Sequence, residues 1–333
     1  MKLTGISFLL IFCYCCNIQA QYAPQAGLAG STAISATSGQ FAAWATGCTV
    51  QRGFMDIANP SLGYASDGDS SLATGPADDN AVSLGDSGIA YLTFAHPIFN
   101  GPGPDFAVFE NGFRNTTDST LAFLELGFIE VSSDGIHYYR FPASSLTQTQ
   151  VQLGNNSYID AANLNNLAGK YIAMYGTPFD LDDLAGISGL DVNKITHIRV
   201  IDVVGSVGSH SSYDGAGRMV NDPYPTPYPS CGFDLDAVGV INELYESVAQ
   251  LPDNVSVSVY PNPAVEKIFV SVKTQSPLPI SATLTSISGS MLQQCVLNES
   301  YNEIMINQYP SGMYFLTICD VNGNRWVEKI TKR

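Results

Sequence analysis

Residues 121–141, LAFLELGFIEVSSDGIHYYRF, contain two runs of strand-forming residues separated by a turn sequence. The runs 121–132 and 136–141 are rich in aromatic and aliphatic residues, including the β-branched residues that favour strands. Between them, Ser133-Asp134-Gly135 contains the Asp-Gly pair that tight β-hairpin turns prefer. This stretch therefore predicts a β-hairpin.

Further strand signals follow the same pattern across the first 250 residues. They lie at 89–94, 106–109, 195–204 and 233–241. Helical periodicity is nearly absent, and one short helical turn is expected within 181–190. A long module of strands joined by Gly-, Pro- and Asn-containing loops predicts an all-β fold, specifically a large jelly-roll-like β-sandwich.

The overall composition limits the classes of partner. The chain has 333 residues, of which 45% are hydrophobic, so it can bury a core and is long enough for about two domains at ~150 residues each. Its formal net charge is −16, with only 14 Lys and Arg residues. So few cations cannot neutralise a run of phosphates, which excludes nucleic acid as a partner and disfavours anionic membranes.

The negative charge belongs to one part of the chain. Residues 21–250 contain 24 acidic and 7 basic side chains, whereas residues 251–333 contain 6 of each. Of the 24 acidic residues, 19 are Asp, which is typical of turns and calcium loops, whereas Glu is typical of helices. This bias supports an all-β first module with long loops.

Residues 1–20 are predicted to be a secretory signal peptide. Lys2 supplies the positive start, residues 6–16 form an apolar run, and Ala20 provides a small residue at the cleavage point. The run is too short to span a bilayer, and no second apolar segment follows, so the mature chain is expected to contain no transmembrane segment. The alternative of a lipoprotein is disfavoured because the cysteines in this segment lack the small residues of a lipobox.

Four cysteines remain after the leader: Cys48, Cys231, Cys295 and Cys319. They allow three disulfide pairings, and export permits any of them. Pairing Cys48 with Cys231 would join the two ends of the first module, whereas Cys295 and Cys319 both lie in the second. The spacing does not match a zinc site.

The last 80 residues contain seven short predicted strands. They lie at 255–260, 268–272, 282–286, 291–297, 303–306, 312–319 and 326–331. Seven short strands in a segment of this size predict a small immunoglobulin-like β-sandwich. The predicted organisation is a signal peptide at 1–20, a cargo and binding domain at 21–245, a linker at 246–254 and a C-terminal domain at 255–333.

The C-terminal segment resembles the type A C-terminal sorting domain of the type IX secretion system. The resemblance rests on Tyr260-Pro261-Asn262-Pro263, on Gly312 and Tyr314 in SGMY, and on Lys329 in the terminal EKITK. It implies recognition by the type IX secretion machinery of Bacteroidota. It also implies passage through the periplasm to the outer cell surface or the medium, with the sorting domain usually cleaved from its cargo.

The first module also resembles known proteins, with less specific motifs. FIEVSSDGIHYYRF and FDLDAVGVIN are similar to strands of discoidin-like and carbohydrate-binding jelly rolls. GPGPDFAVFENGF and YGTPFDL resemble a group of uncharacterised bacterial cell-surface proteins. These similarities imply a jelly roll and no specific activity.

Calcium is the cofactor that the acidic residues suggest. The predicted ligands are Asp67, Asp69, Asp78, Glu110 and Asp236, because clustered carboxylates and loop carbonyls supply the six to eight oxygens that calcium takes. The spacing is not that of an EF-hand. The alternative is that these carboxylates cap turns by accepting hydrogen bonds from backbone N–H groups.

A ligand-binding loop is predicted in SYDGAGRMVNDPYPTPYPS. Its aromatic residues Tyr213, Tyr224 and Tyr228 can stack on sugar rings, while Asp214 and Arg218 can bond polar edges. The alternative is that the tyrosines of this loop cover the core of the sandwich.

Known catalytic patterns do not fit the chain. Gly85-Asp86-Ser87-Gly88 imitates a chymotrypsin-like motif, but no histidine precedes Ser87, and a GDSL esterase needs an α/β fold. The sequence therefore predicts a secreted surface protein that binds a ligand or glycan. The alternatives are an extracellular hydrolase or lyase acting on a polymer, capture of a small nutrient such as a corrinoid, and a structural surface-layer role.

Overall fold

The computed structural model describes residues 22–244, 256–273, 280–287, 289–319 and 325–333. The chain divides into two compact units, Met1–Leu244 and Tyr245–Arg333. The predicted signal peptide at 1–20 and the predicted linker at 246–254 lie outside the described residues. Within the described ranges, no helix has the length and hydropathy needed to cross a membrane.

The first unit is built from short antiparallel strands joined by long loops. Its strands are β1 (Ile34–Ser35), β2 (Ala43–Trp44), β3 (Gly47–Gln51), β4 (Val82–Ser83), β5 (Ile89–Ile98), β6 (Phe106–Glu110), β7 (Phe113–Arg114), β8 (Leu121–Phe123), β9 (Gly127–Ser132), β10 (Tyr139–Arg140), β11 (Ser144–Ser145), β12 (Ile159–Asp160), β13 (Leu164–Asn165), β14 (Tyr175–Phe179), β15 (Ile195–Asp202) and β16 (Asp234–Val240). Short 3-10 helices lie at Pro60–Leu62, Ser70–Ala73, Ala161–Asn163 and Leu181–Leu184.

Two sheets form the sandwich of this unit. One has the order β10-β9-β15-β5-β3, and the other has the order β1-β14-β6-β16-β2 with β4 also paired to β16. Side chains from both sheets share one buried core, for example Leu92 and Val200 from the first and Phe106 and Val238 from the second. The predicted all-β fold is confirmed, with a single helical turn at Leu181–Leu184 inside the predicted segment.

A smaller sheet of order β12-β8-β7 lies next to the end of β6. The chain leaves β6 at Glu110 and enters β7 at Phe113 after only two residues. This short connection places β7 and β8 beside the start of β16 at Asp234, because β6 and β16 are paired at that end. The candidate site described below lies at this end of the sandwich.

The predicted hairpin differs from the structure in two places. The run 121–132 forms two strands, because the Leu126 N–H donates to the Asp222 carboxylate at 3.0 Å instead of continuing a ladder. The run 136–141 forms only β10, because Asp134 Oδ1 accepts the N–H groups of Ile136 and His137 and holds them in the turn. The hairpin itself is present, with Tyr139 opposite Val131.

The second unit contains the seven strands expected from the sequence. They are β17 (Ser256–Tyr260), β18 (Lys267–Lys273), β19 (Ile280–Ser286), β20 (Met291–Leu297), β21 (Tyr301–Met305), β22 (Gly312–Cys319) and β23 (Arg325–Lys332). They form a three-stranded sheet, β17-β18-β21, and a four-stranded sheet, β20-β19-β22-β23. Ile268 and Val270 of one sheet share a buried core with Leu316 and Ile330 of the other, which is the arrangement of a small β-sandwich.

The structure contains neither the Cys48–Cys231 pair nor the Cys295–Cys319 pair that the sequence allowed. Cys48 and Cys231 are free thiols, and burial raises the pKa of Cys48 to about 11 and that of Cys231 to about 12. Cys295 and Cys319 lie on strands that flank β19 on opposite sides. Two strand spacings amount to roughly 9–10 Å. That separation exceeds the reach of a disulfide bond.

The first prediction concerns the shared core. Phe106 is fully buried and contacts the rings of Phe141 and Phe179 at centroid distances of 5.8 and 5.3 Å. Phe106→Ala should lower the free energy of unfolding by about 3–5 kcal/mol, because it leaves a cavity between the sheets. Urea unfolding followed by Trp44 fluorescence, in a Trp326→Phe background, measures this unit.

The matched control is Ile136→Ala. Ile136 is 76% exposed, so its truncation should change the free energy of unfolding by less than about 0.5 kcal/mol. Equal losses for Phe106→Ala and Ile136→Ala would contradict the assignment of the core.

Candidate functional site

Most of the predicted calcium ligands accept hydrogen bonds from backbone N–H groups. Asp67 and Asp69 are exposed, and Asp69 Oδ1 accepts the N–H of Ser71 at 2.8 Å and its hydroxyl at 2.6 Å. Asp69 therefore caps the short helix Ser70–Ala73. This is the turn-capping role that the sequence left open as the alternative.

Asp236 and Asp78 are adjacent, but their contact is not that of two metal ligands. The buried carboxylate of Asp236 accepts the backbone N–H groups of Asp78 and Asp79 at 3.1 and 3.2 Å. Glu110 is 1% exposed, and its Oε2 accepts the N–H of Gly112 at 2.8 Å. Among the residues that the structure describes, no group of three or more His, Cys, Asp or Glu side chains is arranged to hold a metal ion. The calcium site stays a prediction.

Asp214 and Arg218 of the predicted ligand loop bond each other. Asp214 is buried and accepts the N–H groups of Ser145 and Ala216, and it forms an ion pair with Arg218 at 2.7 Å. Arg218 also lines a cavity of about 210 Å³ together with residues 145–150 and Met219. Tyr213 is 54% exposed but does not line that cavity. The pair therefore fixes the shape of the loop.

The remaining two tyrosines of the loop have opposite environments. Tyr224 is only 9% exposed, and its hydroxyl donates to Asp56 at 2.9 Å, so its ring is not available for stacking on a ligand. Tyr228 is 53% exposed and lines a cavity. Of the predicted ligand residues, Tyr228 is the one that the structure brings to the candidate site.

The candidate site is a cavity of about 410 Å³ at the end of the first sandwich. We call it the aromatic–acid cavity. It combines three rings, two carboxyl groups, three amides and two hydroxyl-bearing side chains of Ser and Thr. Its lining residues are Asn111, Phe113, Phe123, Glu125, Asn155, Asn156, Thr226, Tyr228, Ser230 and Asp234.

The aromatic side of the cavity is preformed. Phe113 and Phe123 lie opposite each other in β7 and β8, and their rings stack with a centroid distance of 5.0 Å and an interplanar angle of 11°. Tyr158 meets Phe113 edge-on at 6.3 Å. Phe113 remains 55% exposed, and the Tyr228 hydroxyl accepts a bond from Asn155 at 3.2 Å. Exposed rings fixed in this way can stack on a ligand.

The acidic side of the cavity contains Asp234 and Glu125. Asp234, at the start of β16, accepts the Ser83 hydroxyl at 2.5 Å and the Asn111 amide at 3.0 Å. Burial raises the pKa of Asp234 to about 6. Glu125 is 6% exposed, and burial raises its pKa well above the ordinary value, with further increases from the charges of Asp234 and Glu110.

A second cavity of about 290 Å³ shares Asn111 and Asp234 with the first. It is lined by Asp67, Gly68, Leu72, Asp79, Asn80, Ala81, Ser83, Asn111 and Asp234. The nearby Arg52 guanidinium donates to the backbone carbonyls of Asp67, Gly68 and Ser83 and holds the loop around this cavity. The two cavities together form one acidic surface.

Of the residues that line the cavity, only Tyr228 was predicted from the sequence. The sequence nevertheless contains a signal for the two acidic residues. Glu110 in FENGF and Asp236 in FDLDAV are acids flanked by apolar strand residues, a pattern that predicts burial. Glu125 in LAFLELGF and Asp234 in GFDLDAV meet the same criterion. The amides at 155 and 156 have no comparable signal, because their position depends on how a long loop folds over the sandwich.

The predicted sorting motif residues converge at one end of the second unit. Asn262 donates through its side chain to the Lys329 carbonyl at 2.6 Å and accepts the Thr331 N–H at 2.9 Å. Gly312 pairs with Lys332, so β22 and β23 run side by side. Tyr314 is 8% exposed and donates to the Pro310 carbonyl at 2.5 Å.

The outer part of this motif is aromatic and partly exposed. Tyr260 is 43% exposed, and its ring lies 6.1 Å from that of Phe269, which stacks on Tyr301. The main chain just after Pro261 and Pro263 is held to the last strand, because the Ala264 N–H donates to the Thr331 carbonyl at 2.8 Å. Two segments about 65 residues apart in sequence therefore form one structural element.

Comparison with protein families identifies the second unit. Residues 258–333 match the family model of the secretion system C-terminal sorting domain. The resemblance to a type IX sorting domain is confirmed for this segment. The tail directs export to the outer cell surface and implies interaction with the type IX secretion machinery. No curated protein matches the chain.

Similar solved structures have low identity to the chain. PorZ, a surface component of the type IX secretion system of Porphyromonas gingivalis, is 18% identical over 29% of this chain and 14% of that chain, with a TM-score of 0.21. A β-glucuronidase from Ruminococcus gnavus in complex with D-glucuronic acid is 12% identical over 86% of this chain and 46% of that chain, with a TM-score of 0.21. The BSP domain of a biofilm associated protein is 10% identical over 77% of this chain and 50% of that chain, with a TM-score of 0.21. The chain spans half or less of each of these structures.

The acidic side of the cavity predicts an unusual dependence of stability on pH. Because the pKa of Asp234 is raised to about 6 on folding, the native state binds more protons than the unfolded state between about pH 4 and pH 6. The free energy of unfolding of the first unit should therefore fall as pH rises through this window. Asp234→Asn should remove roughly 2–3 kcal/mol of that decrease.

Urea unfolding at pH 4.5 and pH 7.0, followed by Trp44 fluorescence in the Trp326→Phe background, measures the difference. Asp191→Asn is the matched control, because Asp191 is exposed and its removal also deletes one negative charge. An identical pH dependence in wild type and Asp234→Asn would show that Asp234 titrates as it does in the unfolded chain.

A further prediction concerns Asn262. Asn262→Ala removes both side-chain bonds to β23, so hydrogen exchange at the Thr331 amide should accelerate about tenfold, which corresponds to a loss of about 1.4 kcal/mol. Mass spectrometry of peptides covering 325–333 measures this exchange. Gln308→Ala, an exposed change in the same unit, should leave it unchanged.

Proposed function

We propose that the first unit is a saccharide-binding module that the sorting tail delivers to the cell surface. The observation that supports this proposal best is the composition of the aromatic–acid cavity. Stacked aromatic rings at an open cavity suit the apolar faces of sugar rings, and amides, hydroxyls and carboxyl groups suit their hydroxyl edges.

The position of the cavity also supports binding. Its lining residues come from loops and short strands at one end of a rigid sandwich, where binding residues are usually found. The volume of about 410 Å³ suits a small ligand or one to two sugar units of a longer chain. The acidic charge of this module makes polyanionic glycans poor ligands, because their charges would be repelled.

Cleavage of a polysaccharide is a second candidate function. Glycoside hydrolysis uses one protonated and one ionised carboxyl group. Burial raises the pKa of Glu125 well above its ordinary value, which is the direction that suits a general acid, and Asp234, with a pKa raised to about 6, is the second carboxyl group of the cavity. If this second function holds, reducing ends are released from an oligosaccharide, and Glu125→Gln abolishes release while binding remains.

The test of binding uses the two exposed rings. Phe113→Ala and Tyr228→Ala should each weaken saturable binding of an oligosaccharide about tenfold, because each removes one stacking surface worth roughly 1 kcal/mol or more. A glycan array followed by isothermal titration calorimetry on the purified chain provides the measurement.

Tyr213→Ala is the control for these variants. Tyr213 is as exposed as Phe113 but does not line the cavity, so its removal should leave affinity unchanged. A glycan array without any binding, or an equal effect of all three variants, would reject the aromatic–acid cavity as a saccharide site.

A further inference from the structure

Among the residues that the structure describes, no cationic side chain lines the aromatic–acid cavity. The adjoining cavity, which shares Asp234, adds the exposed carboxylates of Asp67 and Asp79 and also has no cation in its lining. Arg52 is a nearby cation that lowers the pKa of Asp234, but it is not in either lining, and its guanidinium donates to the backbone carbonyls of Asp67, Gly68 and Ser83. A ligand that enters here therefore meets carboxyl groups without a compensating positive charge from the lining.

Glu125 differs from its acidic neighbours in its bonding. Asp234 accepts two side-chain bonds, Asp222 accepts the Leu126 N–H, and Asp202 accepts the N–H groups of Ser87 and Phe233. Within the part of the chain that the structure describes, no donor bonds the Glu125 carboxyl group, although Glu125 is 94% buried and lines the cavity. The Glu125 oxygens are not among the fully buried polar atoms that lack a partner, so they keep some accessible surface, and a ligand in the cavity can donate to them.

We propose that the natural ligand is an amine-bearing saccharide, whose ammonium group bonds the Glu125 carboxylate beside Asp234 while its ring stacks on the aromatic side. The assignment rests on the proposed function and names its substrate class. An ammonium group supplies both the charge that the cavity lacks and up to three donors for the carboxyl oxygens. The same aromatic rings favour a cationic ligand through cation–π attraction.

Binding of an amine and binding of a neutral sugar differ in the number of protons released. Burial raises the pKa of Glu125, and the charges of Asp234, Glu110, Asp222 and Asp202 raise it further, so they favour the protonated acid in the free protein. When the ammonium group binds, the Glu125 carboxylic acid loses its proton to the buffer and forms an ion pair with the ligand, so about one proton is released per amine bound. A neutral sugar would instead accept a bond from the protonated acid and release none.

The experiment compares three probes at pH 6.0 with the purified full chain. The probes are the trimer of glucosamine, its fully N-acetylated counterpart, and cellotriose. Calorimetry in two buffers of different ionisation enthalpy gives both affinity and the number of protons released. The glucosamine trimer should bind about tenfold more tightly than the other two, with release of about one proton.

Glu125→Gln keeps the shape of the side chain and should abolish both the preference for the glucosamine trimer and the proton release. Asp191→Asn, which deletes an exposed charge far from the lining, should preserve both. Circular dichroism and the Trp44 fluorescence of each variant verify the fold.

The outcomes separate the two proposals. If all three trimers bind equally, or if the free amine binds without proton release, the amine assignment is wrong and saccharide binding stands. If none of the three trimers binds and the wider glycan array is also negative, the proposed function fails as well. If a lysine-containing peptide binds and the trimers do not, the amine is recognised outside a saccharide, which also overturns the proposal.

Discussion

The structure of the first unit depends on buried carboxylates that accept hydrogen bonds from the backbone of its loops. The sandwich has short strands and long loops, and each loop N–H that leaves water needs an acceptor. Asp105 accepts from Gly101 and Leu181, Asp202 from Ser87 and Phe233, and Asp236 from Asp78 and Asp79. Except for the local bond from Gly101, these bonds join parts of the chain that are far apart in sequence, so they hold the loops against the sheets.

The need for backbone acceptors gives the many Asp residues of the first unit a role other than calcium binding. A strong excess of Asp on loops predicts calcium, because both turns and calcium sites use it. In the described residues the buried Asp side chains serve mainly as acceptors for backbone N–H groups. Asp is suited to this role, because its short side chain places the carboxylate close to a neighbouring backbone. At Gly205 a Cβ would lie 1.7 Å from Asp222 Oδ1, which shows how closely such a carboxylate approaches the chain.

The candidate site contains a buried carboxyl group that does not accept a bond from a loop backbone. Glu125 is buried like the structural carboxylates, but it faces a cavity instead of a loop backbone and has no donor in the described residues. The charges of Asp234 and Glu110 raise its pKa further, and the described lining of the cavity contains no cationic side chain. The second unit has a separate role, because its sorting motif fixes where the module acts and not what it binds.

The sequence by itself determined the all-β class, the seven strands of the tail and the export route. These features depend on local signals, namely alternating strand residues, turn residues and a motif read in order, as in 255–333. It also located Tyr228 correctly on a loop, but it grouped this residue with Tyr224, which the fold buries against Asp56. Only the tertiary structure decided that Phe113, Phe123, Glu125 and Asp234 line one cavity. Three of them come from different strands and Glu125 comes from the segment between β8 and β9, and they meet because distant strands pair. Whether a buried acid finds a backbone donor or faces a cavity also depends on that packing, and no local pattern of residues encodes it.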